Sequence, residues 1–131
     1  MTLTFFVPGK PAPQGSKRHV GNGILLESSP HVGPWRERVA IAAHNAMNGR
    51  PIYSGQVEVW LDFILPRPKS TPKTRTPPAI KRPDIDKLAR AILDAITGTI
   101  LADDAQVTYL SATKRLAEID ETPGVRIEVN A

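Results

Sequence analysis

Gln56-Val57-Glu58-Val59-Trp60-Leu61-Asp62-Phe63-Ile64-Leu65-Pro66 alternates with a period of two. Val57, Val59, Leu61, Phe63 and Leu65 share one face, and Gln56, Glu58 and Asp62 share the other, the pattern of a strand with one buried side. Pro66 stops it, because proline has no N–H to give to a ladder. Toward the C-terminus, a Pro-bearing basic loop spans 66–83. Asp84, just after Pro83, is well suited as the N-cap of a helix whose buried stripe is Leu88, Ile92 and Ile96 and which Thr97-Gly98 ends. Asp104 to Arg115 and Val125 to Val129 read as two further strands, with Glu121-Thr122-Pro123-Gly124 as the turn between them. Toward the N-terminus, Thr2 to Val7 reads as a first strand, followed by a Pro- and Gly-bearing loop from Pro8 to Arg18. Gly21-Asn22-Gly23 is a tight-turn signal that predicts a small hairpin. Pro34 fits the first turn of a helix. Trp35, Val39, Ala42, Ala43 and Ala46 then fall on one helical face, and Asn48-Gly49 ends the helix. These elements predict one α+β domain over 1–131, a small mixed β-sheet of about four main strands packed with two helices.

The chain has 131 residues, of which 40% are apolar and 23% charged. That is enough for one core and too little for two. The net charge is +4, which favours a polyanionic partner. With no cysteine there is no disulfide, thiolate metal site or redox sensor. Met1 to Pro8 lacks the charged and apolar regions of a signal peptide. No apolar run approaches the roughly 20 residues that cross a bilayer. The expectation is a soluble cytoplasmic protein with no membrane partner.

Two acidic signatures lie about one helix apart: Arg82-Pro83-Asp84-Ile85-Asp86-Lys87-Leu88 and Asp103-Asp104-Ala105-Gln106-Val107. Four carboxylates brought together would repel one another unless a cation lay between them. Mg²⁺ prefers hard oxygen ligands and takes one or two carboxylates directly, so Asp84, Asp86, Asp103 and Asp104 are candidate ligands. At a helix N-terminus the backbone of one Asp is still non-helical, so Asp84 and Asp86 can lean toward one ion, and the helix dipole tolerates their charge. A regular strand from Asp104 carries Gln106 and Lys114 on the same face. The three histidines show no metal-ligand spacing, and Trp35 and Trp60 read as core or interface residues.

Upstream of the first signature, Arg67, Lys69, Lys73, Arg75, Lys81 and Arg82 lie in the 66–83 loop without an acid. Its prolines predict an extended arm able to follow a phosphate backbone with salt-dependent affinity. Lys17, Arg18 and Lys87 add to the candidate DNA-binding set. Acidic ligands beside a cationic strip point to cutting or joining a phosphate backbone.

These residues resemble the RusA family of Holliday-junction resolvases, small endodeoxyribonucleases common in phages and prophages. The resemblance rests on Asp84-Ile85-Asp86-Lys87-Leu88, then Asp94-Ala95-Ile96, then Asp103-Asp104-Ala105-Gln106-Val107, with Lys114 ten positions after Asp104. The strong match runs from Arg82 to Lys114, and the N-terminal half fits more loosely. The family's Asn after the second Asp is Lys87 here, and its Lys four residues after that Asp is Arg90, which keeps the charge but changes its shape. The resemblance implies a homodimer that uses Mg²⁺, with Mn²⁺ as a substitute, to cut four-way DNA junctions by paired symmetric nicks leaving 5′-phosphates. It implies that Asp84, Asp86 and Asp104 are the essential carboxylates, that Asp103 supports them, and that Arg90 and Lys114 are catalytic cations. Arg90 reads equally as one half of an i, i+4 ion pair with Asp86 or Asp94. The rival functions are a flap or single-strand nuclease and a non-catalytic DNA-binding protein.

Overall fold

The structure is a computed structural model. It describes residues 1–15 and 31–131 in full, and of the segment between them the backbone of Lys17–His19 and Leu25–Glu27. The elements run β1 (Thr2–Pro8), β2 (Lys17–His19), β3 (Leu25–Glu27), α1 (Val32–Met47), β4 (Val57–Leu65), α2 (Ile85–Ile96), a 3₁₀ turn (Asp104–Gln106), β5 (Val107–Leu116) and β6 (Gly124–Asn130). Lys17 and Arg18 therefore belong to a strand, where the sequence reading ended a loop. β2 pairs antiparallel with β3, and the Gly21-Asn22-Gly23 turn expected between them lies outside the described residues.

Four strands form one mixed sheet in the order β1-β6-β4-β5. β6 runs antiparallel to both β1 and β4, while β5 runs parallel to β4. Parallel neighbours require a crossover, and the stretch from 66 to 106, which contains α2, is that crossover. The helix begins beyond the C-terminal ends of β4 and β5 and delivers the chain back to their N-terminal ends. This crossover decides where the candidate site residues go.

The two-residue period places β4 as expected: Val57, Val59, Leu61, Phe63 and Leu65 are all buried. In register with them, Val125, Ile127 and Val129 of β6 and Leu3 and Val7 of β1 extend the same face. The buried stripe of α2 (Leu88, Ile92, Ile96) and Trp35, Val39 and Ala43 of α1 cover that face. The opposite face stays partly open, where the ring of Trp60 tilts against Tyr109 with centroids 5.3 Å apart. Gly124 opens β6 where β1 runs closest. A Cβ there would collide with the Val7 carbonyl oxygen and the Phe6 ring, so only glycine fits.

α1 begins at Val32, so Pro34 falls in its first turn, as the sequence predicts. Asp84 occupies the N-cap of α2 with an extended backbone, and its carbonyl accepts from Leu88 N–H at 3.1 Å, but its carboxylate makes no cap hydrogen bond. The larger correction concerns β5. It begins at Val107, because Asp104–Gln106 coil into the 3₁₀ turn. Asp104 and Gln106 are therefore not on the strand face that carries Lys114.

At the end of β5, Arg115 clasps Glu121 through two hydrogen bonds of 2.6 and 2.7 Å, and Glu118 N–H donates to the same carboxylate at 2.9 Å. The guanidinium and that amide hold the Glu121 carboxyl down from 4.5 to about 2. A carboxyl with a depressed folded pKa contributes stability that is complete above its unfolded value and disappears as pH falls through the folded one. The clasp is thus expected to weaken between about pH 4.5 and pH 2. Carboxyl ¹³C titration should give Glu121 a midpoint near 2, and the stability gap between the protein and Glu121→Gln should close across that window. A midpoint near 4.5 contradicts the clasp.

Candidate active site and DNA interface

Asp84 and Asp86 sit at the N-cap and second position of α2, beyond the C-terminal ends of the parallel pair β4 and β5. In sheets with crossover helices, this edge is the usual place for ligands. Lys114, near the end of β5, reaches across with its Nζ to donate to the carbonyl of Lys81 at 2.9 Å and of Pro83 at 2.8 Å. The ammonium fixes the chain immediately before Asp84, where Arg82–Pro83 is cis. Lys87 Nζ lies 3.6 Å from Asp84 Oδ2, a partly exposed i, i+3 pair of little energetic weight. Among the described residues, the Asp86 carboxylate has no hydrogen-bond or ion-pair partner, and it is exposed.

Arg90 lies one turn above Asp86 on the same helix face. It forms an ion pair with neither Asp86 nor Asp94. Asp94 instead lies 3.7 Å from Arg36 of α1, whose Nη1 also donates to the buried Gln14 side chain at 2.9 Å. Gln14 N–H in turn donates to the Lys87 carbonyl at 2.9 Å, so the loop after β1 is stitched to the start of α2.

The second acidic signature stands at the other end of the crossover. Asp103 caps the 3₁₀ turn by accepting from Ala105 N–H at 2.9 Å. Gln106 closes the turn from the far side. Its Oε1 accepts from Ala102 and Asp103 N–H at 2.9 and 2.8 Å, and its Nε2 donates to the carbonyls of Tyr53 and Gly55 at 2.9 and 2.8 Å. This role was missed in the sequence, although Asp-x-x-Gln is a recognisable capping-box spacing. Asp103 is thus engaged as a cap, while the Asp104 carboxylate is exposed and unpaired among the described residues.

α2 has 12 residues, which at ~1.5 Å each separate its ends by about 18 Å. Asp104 stands at the start of β5, whereas Lys114, seven residues along that strand, touches Pro83 beside Asp84, so at ~3.3 Å per strand residue roughly 20 Å separates the two aspartates within one chain. Accordingly, among the described residues no group of three or more Asp, Glu, His or Cys side chains is gathered to hold a metal ion. The structure brings together Asp84, Asp86, Arg90 and Lys114 at one end, and Asp103 and Asp104 at the other.

Residues 8–130 match the family model described as Endodeoxyribonuclease RusA. The chain belongs to the RusA family. It is an endodeoxyribonuclease by that membership, with DNA as its substrate. No curated protein matches it. Among the described residues, no helix is long and apolar enough to cross a membrane.

The 66–83 loop of this RusA-family chain is not the extended arm its prolines predict. Arg67 folds it inward. Its Nη1 donates to Thr76 Oγ1 at 2.7 Å and to the Ala117 carbonyl at 3.2 Å, and its Nη2 to the carbonyls of Pro72 and Arg75 at 2.6 and 2.7 Å. Thr76 Oγ1 passes the network on to Glu118 at 2.7 Å. Arg67 therefore organises the loop from inside, while Lys69, Lys73, Arg75, Lys81 and Arg82 remain exposed on it. The side chains of Lys17 and Arg18 lie outside the described residues.

Proposed function

We propose that the chain resolves four-way DNA junctions by paired symmetric nicks that leave 5′-phosphates, acting as a two-fold homodimer with Mg²⁺, or Mn²⁺ in its place. The observation that carries this reading is the position of two exposed pairs of aspartates at opposite ends of one crossover. Each chain offers two half-sites. A two-fold axis beside the middle of β5 returns the start of one strand to the end of the other, setting Asp104 of the partner subunit, with its Asp103, against Asp84 and Asp86. β5 is an edge strand of the sheet, so among the described residues its outer backbone groups have no ladder partner. Tyr109 and Leu110, about half exposed near its middle, give a second copy an apolar surface to cover.

Hard carboxylate oxygens suit Mg²⁺. When bound, the ion supplies Lewis acidity, a more acidic water and stabilisation of the leaving 3′ oxygen. Asp84, Asp86 and Asp104 hold it. Arg90, exposed, without an ion-pair partner among the described residues and one turn from Asp86, faces the charge that develops on the phosphate oxygens. Lys114 is a positioning residue in this reading, since its ammonium is engaged with the carbonyls that set Asp84. Lys69, Lys73, Arg75, Lys81 and Arg82, with Lys17, Arg18 and Lys87, contact backbone phosphates, so affinity falls steeply with salt.

The test is cleavage of matched four-way, flap and single-stranded DNA with and without Mg²⁺. Symmetric nicks confined to the four-way substrate and the metal are expected. Equal cutting of flaps or single strands removes the junction from the reading, and no metal-dependent cutting of any substrate overturns it.

A further inference from the structure

A cavity of about 1110 Å³ opens beside Asp84, larger than the ~300–1,000 Å³ of ordinary small-molecule sites. It lies between the loop after β1, the start of α1 and the 66–83 loop. Its walls are largely rings and short apolar groups, among them Pro11, Pro34, Pro68, Pro77, Trp35 and Ala79. Lys10, Arg38, Lys81, Arg82 and Lys87 stand along the same lining, on which Asp84 is the one acid among the described residues. Among the described residues, the indole N–H of Trp35 is buried with no hydrogen-bond partner.

We propose that this cavity takes one unstacked nucleotide of the strand being cut. This rests on the DNA-cutting role assigned to Asp84 and names what its neighbouring cavity binds. The proline rings and the exposed edge of the Trp35 indole offer a flat ring an apolar contact that does not depend on base identity. The lysines and Arg82 match the phosphates on either side of that ring. Taking a base out of the stack is least costly where pairing is already broken, as at the branch point of a junction. The cavity thereby favours branched DNA over intact duplex at the step that sets the phosphate beside Asp84.

Two measurements decide it. First, 2-aminopurine is placed singly at each nucleotide flanking the cut, and the protein is added in EDTA. A several-fold change in fluorescence at one position, and not at its neighbours, is expected. Second, Ala79→Phe fills the cavity while leaving the aspartates in place. With Mg²⁺ it should cut the intact junction about tenfold or more slowly than the wild type, yet match the wild type when the nucleotide at that position is abasic. No position-specific fluorescence change, or an equal Ala79→Phe deficit on intact and abasic junctions, or no deficit at all, overturns the proposal. The fluorescence arm needs neither cutting nor a variant. A signal there without metal-dependent cleavage refutes the catalytic reading and leaves the cavity standing, whereas cleavage without the signal does the reverse.

Discussion

A mixture of Asp84→Asn and Asp104→Asn proteins is expected to nick a four-way junction that neither protein cuts alone. Each substitution removes a charged oxygen from the cation site at little change in volume. Each should lower cutting by at least ~10²–10³-fold, the scale of losing one group that stabilises transition-state charge. The two variants differ in where the loss falls. If Asp104 acts across the two-fold, a mixed dimer contains one site with both substitutions and one site with neither. Random exchange makes half of the dimers mixed, so recovery should approach about a quarter of the wild-type nicking rate. A supercoiled plasmid carrying a cruciform reads the outcome directly. Wild-type protein makes two paired nicks and yields linear DNA, while a mixed dimer has one working site and yields open circles. If Asp104 served its own chain, every site in the mixture would carry one substitution and no cutting would return.

That prediction depends on the crossover, which the sequence does not announce. The period-two pattern of Gln56–Leu65 identifies which side chains of β4 are buried, and it does so correctly, but alternation says nothing about which strand lies beside it or in which direction. The stripe Leu88, Ile92, Ile96 likewise identifies the buried face of α2. The acids were legible by type and order, because Asp-x-Asp at a helix start and Asp-Asp one helix later are local patterns. Their separation follows only from the parallel pairing of β4 with β5. A helix that connects parallel neighbours must traverse the sheet once, so residues before and after it emerge at opposite edges. The 66–83 loop failed in a different way. Its prolines and cations do disfavour regular structure, yet the four acceptors around Arg67 come from residues whose positions in space no local pattern encodes. Asp104–Gln106 was misread because the alternation of β5 was extended backward past a capping box that the sequence does spell out.

Gln106→Ala should damage both stability and cutting, although Gln106 touches neither metal nor DNA in this reading. The side chain makes four hydrogen bonds, two accepted from Ala102 and Asp103 and two donated to Tyr53 and Gly55. Each is worth ~1 kcal/mol net, and water recovers part of the loss in so exposed a turn, so a cost of about 2 kcal/mol is expected. For a domain of this size that is a fall of roughly 5–10 °C in Tm. Asp103 keeps its own bond to Ala105, so the turn is loosened from the 53–55 segment rather than erased. The Asp104 carboxylate then loses its fixed position, and misplacing a ligand by about 1 Å costs ~10²-fold in rate. Gln106→Glu tests the same contacts more severely. It retains the acceptor for Ala102 and Asp103, removes both donors to the carbonyls, and sets a third negative charge beside Asp103 and Asp104. Cutting by the glutamate variant should therefore fall at least as far as by the alanine variant, and raising Mg²⁺ should recover the glutamate variant more, since added positive charge offsets its repulsion. Unchanged melting with unchanged cutting for Gln106→Ala would remove Gln106 as the support of this turn.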